Sequence, residues 1–144
     1  NFTNNRMNIK DYASFKRIVG KISSYVKRPE EIIQNLKNDT LSIDEMYQRA
    51  IAYLRYGSLE KASKDVSSLL VAEPNNPYFY ELAGEIAFAD GLLPSAIKYF
   101  EEAFNKSGEA PLIALRLGRV FLSAKTYSRR QIIFHESIVY PSTT

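Results

Sequence analysis

With 144 residues, 45% of them apolar and 24% charged, the chain has the composition of one globular domain or two small units sharing a core, and is too apolar for disorder. It has no cysteine and a single histidine, which excludes a disulfide scaffold, a thiolate zinc site, an iron–sulfur cluster and a multi-histidine centre. The net charge of +3 is uneven, at +4 over residues 1–42, −5 over residues 43–110 and +4 over residues 111–144. A nucleic-acid binder shows one continuous basic face, whereas the best-patterned part of this chain is acidic, so no nucleic-acid partner is expected. No apolar run approaches the roughly 18 residues of a transmembrane segment. The chain begins at Asn1 rather than methionine and is read as a processed chain or an excised fragment.

In chain order, residues 1–8 are polar and asparagine-rich, as in a frayed tail. Asp11–Lys27 then places Phe15, Ile18, Val19, Ile22 and Val26 at helical spacing. Pro29-Glu30-Glu31 begins a short second helix, with its acids on the positive end of the dipole. This pair is expected to pack on the following segment and cover its apolar side.

From residue 43 the chain repeats itself. Pro77-Tyr78-Phe79-Tyr80-Glu81-Leu82-Ala83-Gly84 aligns with Pro111-Leu112-Ile113-Ala114-Leu115-Arg116-Leu117-Gly118 at an offset of 34 residues, and one further step back starts the register at Ile43. Tyr80, the Ala83-Gly84 pair, the turn glycine Gly91, and Ala96, Phe100 and Ala103 all fall at fixed places in that period. These positions resemble the tetratricopeptide consensus. The resemblance implies an all-α, tetratricopeptide-type solenoid of antiparallel helix pairs, with repeats over 43–76 and 77–110, a degenerate one over 111–144, and residues 1–42 as an N-terminal helical cap. Arg49 and Leu69 depart from the consensus, as do Lys125, which stands where the turn glycine belongs, and Arg130. Ser42-Ile43-Asp44-Glu45 reads as a capping box and Asn76-Pro77 as a capped helix start. Helices are predicted over 43–56, 59–72, 77–90, 93–106 and 111–124, with a shorter one over 127–138.

Little in this pattern speaks for catalysis. His135-Glu136 begins like a zinc-protease helix, but position 139 is Val139 where the second histidine belongs. Glu81 and Glu85 lie one turn apart with no positioned base beside them, and the glycines form no phosphate loop. The chain is therefore read as non-enzymatic, without catalytic, cofactor-binding or metal-binding residues.

A helical solenoid normally works through its concave face, lined by the first helix of each pair. Here that face collects Tyr47, Gln48, Ile51, Leu54 and Arg55 from the first repeat and Tyr78, Glu81, Leu82, Glu85 and Phe88 from the second. The third adds Leu112, Leu115, Arg116, Arg119 and Leu122. Exposed aromatic and aliphatic residues flanked by charge suit a protein or peptide partner. The exposed ends of such an array would also allow two copies to associate.

Two segments narrow the resemblance. Tyr25-Val26-Lys27-Arg28-Pro29 followed by Met46-Tyr47-Gln48-Arg49-Ala50-Ile51-Ala52-Tyr53 is one; Glu73-Pro74-Asn75-Asn76-Pro77-Tyr78-Phe79-Tyr80-Glu81-Leu82, with Glu109-Ala110-Pro111-Leu112-Ile113 downstream, is the other. Together they resemble the C-terminal repeat region of bacterial, alphaproteobacterial-type M48 zinc metallopeptidases over roughly residues 10–124. The resemblance implies a periplasmic protein, with a zinc-bearing catalytic domain ahead of this chain. Its partners would be that protease domain, substrates or the outer-membrane assembly machinery. The alternative is a free-standing adaptor or co-chaperone, which would be cytoplasmic. After Ala124 the family pattern is lost.

Overall fold

A computed structural model describes the backbone of residues 9–139, with the side chains of residues 15–131 except Ser24; the tail read over residues 1–8 lies outside the described residues. Among the described residues every regular element is helical: α1 Ile9–Val26, α2 Pro29–Asn35, α3 Ile43–Tyr56, α4 Leu59–Ala72, α5 Pro77–Ala89, α6 Leu93–Lys106 and α7 Pro111–Val139. The protein is all-α. The chain divides into two compact units, Asn1–Pro74 and Asn75–Thr144, so the segment before residue 43 groups with the first helical hairpin.

In the first unit, α3 starts where Ser42 closes a capping box: its Oγ accepts from the Glu45 amide at 3.3 Å, and its own amide donates to Glu45 Oε2 at 2.9 Å. The helix ends at Gly57, whose φ of 89° would strain a side chain. There the Gly57 amide donates to Leu54 O and the Ser58 amide to Tyr53 O, satisfying carbonyls the helix end leaves open. α4 then packs against α3, with Ala50, Ala62, Val66 and Leu69 all buried.

Arg49 sits where the repeat pattern wants an aliphatic residue, and the structure supplies the reason. Its Nε and Nη2 donate to the two carboxylate oxygens of buried Asp65, each at 2.7 Å. Its Nη1 donates to Leu36 O at 3.0 Å and Asn38 O at 3.3 Å, tying the loop before α3 to the hairpin. A buried carboxylate needs such a forked partner, and Arg49 beside it is held above its ordinary pKa chiefly by the Asp65 hydrogen bonds.

α1 and α2 both pack on α3, as expected, but α1 does so with the opposite face from the one predicted. Gly20 is buried, and a Cβ there would lie 3.1 Å from the end of the Gln48 side chain, so α1 approaches α3 closely at this glycine. Arg17 reaches Glu73 at 2.5 Å and Asp44 at 3.6 Å, pinning the same side down. Phe15, Ile18, Val19, Ile22 and Val26 consequently point outward, with Val26 79% exposed. The apolar stripe is surface, and the small and polar side is the contact.

The second unit repeats the hairpin. Asn76 Oδ1 accepts from the Tyr78 amide at 3.0 Å, and Pro77 occupies a first-turn position where a missing N–H costs nothing. Gly91, φ 77°, repeats the Gly57 turn: its amide donates to Phe88 O and that of Leu92 to Ala87 O. Gly84 lies so close to α6 that a Cβ would meet the Phe100 ring at 2.9 Å. Ala87, Ala96, Phe100, Ala103, Ile113 and Val120 form the core of this unit.

The helix predicted to end at residue 124 does not. α7 runs unbroken from Pro111 to Val139 and absorbs the short helix expected over 127–138. Lys125 stands where Gly57 and Gly91 turn the chain, and nothing there favours a left-handed residue. The local hydroxyls also keep within the helix, Ser123 Oγ donating to Arg119 O at 3.0 Å and Thr126 Oγ1 to Leu122 O at 2.9 Å.

Candidate protein-binding surfaces

The residues expected on one open face divide by environment. In the first unit Tyr47 and Ile51 are buried, 4% and 0% exposed, because α1 and α2 cover α3 where the pattern left it open. Gln48 is half-buried against Gly20. Leu54 is also half-buried, while Arg55 is exposed and spends a donor on Lys27 O at 2.8 Å. Its guanidinium lies 5.9 Å from the Tyr25 ring. The first-unit part of the predicted face is thus mostly the seat of the N-terminal helices.

In the second unit the predicted residues form a seam between α5 and α7. Glu81 and Leu82 are buried, Glu85, Phe88 and Arg116 are half-buried, and Tyr78, Leu112, Leu115, Arg119 and Leu122 are exposed. Arg116 bridges two carboxylates one turn apart on α5: its Nε lies 3.2 Å from Glu81 Oε1, and its Nη1 contacts Glu85. One turn on, the Arg119 guanidinium lies over the Phe88 ring at 4.7 Å. Glu81 and Glu85 are therefore structural anions that dock α7 on α5, since a carboxylate as buried as Glu81 demands a partner. The surface left for a ligand is the rim: Tyr78 on α5, and Leu112, Leu115, Arg119 and Leu122 on α7.

A small open cleft of about 150 Å³ lies in the first unit, lined by Glu30, Ile33, Gln34, Tyr53, Tyr56 and Lys61. It is smaller than the roughly 300 Å³ at which small-molecule sites begin. Arg49 and Lys61 approach the Tyr53 ring at 5.8 and 5.7 Å. The sequence pattern did not single out this cleft; only the Tyr53–Tyr56 spacing and the following Lys61 hinted at it.

Among the described residues no group of three His, Cys, Asp or Glu side chains is placed to hold a metal ion. The His135 side chain lies outside them. No described helix is long and apolar enough to cross a membrane. No protein-family model matches the chain, and no curated protein matches it.

Proposed function

We propose that this chain is a tetratricopeptide-type protein-binding module, with Tyr78, Leu112, Leu115, Arg119 and Leu122 at the α5–α7 seam as its peptide-contacting surface. The observation that carries this reading is the recurrence, 34 residues apart, of the same helix–turn–helix unit. α3 and α5 start at residues 43 and 77, α4 and α6 at residues 59 and 93, and the two turns use equivalent glycines with equivalent amide bonds. Exposed leucines and an aromatic residue beside a guanidinium favour extended peptides that combine aliphatic side chains with a carboxylate.

The test is an array of synthetic peptides of varied charge and hydrophobicity, probed with the purified chain. Acidic–aliphatic peptides are expected to bind, and Arg119→Glu to weaken them about tenfold or more, or ~1.4 kcal/mol, with the helical circular dichroism unchanged. Wild type and Arg119→Glu binding every peptide alike would remove this surface from consideration.

As a narrower proposal, the module is the non-catalytic docking part of a periplasmic M48-type zinc metallopeptidase, presenting substrates or outer-membrane assembly partners to it. This rests on the family-like segments around Tyr25–Pro29, Met46–Tyr53 and Glu73–Leu82. A gene in which a His-Glu-x-x-His helix precedes this region supports it; a gene encoding the module without one favours the free-standing adaptor.

A further inference from the structure

α1 turns its apolar side away from α3, and that side is regular. At about 100° per residue, Tyr25, Ile18, Ile22, Phe15, Val26 and Val19 fall within an arc of about 120° around the helix. All six are exposed, from 45% at Tyr25 to 79% at Val26. Gly20 and Arg17 lie on the opposite side, Gly20 against Gln48 and Arg17 on Asp44 and Glu73. Lys16 borders the arc on one edge and Lys21 on the other. Lys27 and Arg28 stand exposed just past the end of the helix. Asp11 is the one acid between residues 10 and 28, against Lys10, Lys16, Arg17, Lys21, Lys27 and Arg28.

We propose that this face associates with a membrane surface, α1 lying in the plane of a bilayer rich in anionic lipid. An apolar arc with cations on both edges is the layout of an interfacial helix, the arc sunk at the acyl boundary and the lysine stems reaching back to the phosphates. With 18 residues, α1 is about 27 Å long, which lays the whole arc flat in the interface. No described helix is long and apolar enough to cross the bilayer instead. A groove on a protein would need only the arc, whereas cations along both edges complement a negatively charged plane. The face belongs to the first unit, and the inference does not rest on the peptide-binding reading of the α5–α7 seam.

The chain has no tryptophan, so Phe15→Trp sets a single indole on the arc. Vesicles of equimolar phosphatidylglycerol and phosphatidylcholine, added to the full chain, are expected to shift its emission to the blue. Brominated acyl chains in those vesicles should quench it. Phosphatidylcholine alone should bind at least about tenfold more weakly, and raising NaCl from about 0.05 to 0.5 M should weaken the anionic complex by a similar factor. Emission unmoved by anionic vesicles would overturn the proposal. So would a blue shift given by acidic helical peptides and not by vesicles, which would make the face a protein-docking surface. Co-sedimentation of the tryptophan-free chain tests the named residues. Ile18→Gln/Ile22→Gln, at two exposed positions, should lower vesicle binding at least about tenfold with helical circular dichroism unchanged. Lys16→Gln/Lys27→Gln should lower binding to anionic vesicles about thirtyfold. Binding that survives Ile18→Gln/Ile22→Gln would place the attraction in basic residues elsewhere and overturn this face.

Discussion

The hairpins α3–α4 and α5–α6 have the same length, the same turn and the same offset, yet they solve their interiors differently. The second brings its helices together through absence, with Gly84 giving the Phe100 ring its place. The first keeps Ala50 and Ala62 as small contact residues but spans the gap beside them with the Arg49–Asp65 ion pair. A periodic pattern fixes where helices meet without fixing what chemistry joins them. The comparison also explains why one hairpin tolerates the company of α1 and α2. Arg49 has donors to spare for Leu36 O and Asn38 O, so the same side chain that closes the hairpin also anchors the loop from α2.

The comparison breaks most visibly if the aromatic side is removed. Phe100→Ala should cost about 3–5 kcal/mol, because it deletes a buried ring and leaves Gly84 facing a cavity that neither residue can fill. Urea unfolding followed by circular dichroism measures it. Arg49→Ala, next in size, should cost about 2–4 kcal/mol by stranding the buried Asp65 carboxylate. The double change Arg49→Met/Asp65→Leu should return to within about 1 kcal/mol of wild type, since a well-packed apolar pair can replace a buried ion pair. If the double variant were as unstable as the single one, the guanidinium bonds to Leu36 O and Asn38 O, rather than the pairing, would carry the effect.

Much of this architecture was legible in the residues. Helix bounds followed from Ser42, Asn76-Pro77, Gly57 and Gly91, each of which solves a local backbone problem that its neighbours in sequence pose. Gly84 and Phe100 were legible as fixed places in the 34-residue period, while their contact came from the fold. What escaped was anything decided by partners distant in sequence. Arg49 read as a flaw in the repeat because its partner Asp65 is a generic surface type until the fold buries it. The stripe from Phe15 to Val26 read as the buried side of α1 because periodicity identifies an apolar face but not the direction it takes. Tyr47, Ile51 and Glu81 read as surface because the repeat pattern does not include the helices that cover α3 or the Arg116 that α7 brings to α5. The continuity of α7 was signalled by Lys125 in place of glycine, but a missing stop weighs little against an expected repeat.

Two smaller changes sharpen the comparison at its glycines and caps. Gly84→Ala should destabilise by about 1–3 kcal/mol, because the new methyl group must displace a ring in a filled core. At the equivalent Gly118 the same change should stabilise the protein by about 0.8–1 kcal/mol, the ordinary preference of a helix for alanine where space is open. Thermal melts of the two variants should therefore shift in opposite directions. Ser42→Ala should cost about 1 kcal/mol, as loss of a serine cap does elsewhere.

The smallest effect separates the two hairpins by pH. The first is capped by a titratable pair and the second by an amide, Asn76, which does not titrate. Accepting the Ser42 backbone N–H, and then the Ser42 hydroxyl, holds the Glu45 carboxyl below its ordinary value of 4.5. A carboxyl lowered in the folded state stabilises it above the unfolded value, and that contribution is lost as the pH falls from 4.5 through the folded value. The start of α3 should weaken in acid on this account while the start of α5 does not. Carboxyl carbon shifts in a pH titration should place Glu45 below 4.5 in the wild type. In Ser42→Ala its midpoint should move only part of the way back, because the larger of the two interactions is with a backbone N–H that alanine retains. Full return to 4.5 would mean that the hydroxyl, not the backbone, sets the charge of this cap, and the order of the two causes would be reversed.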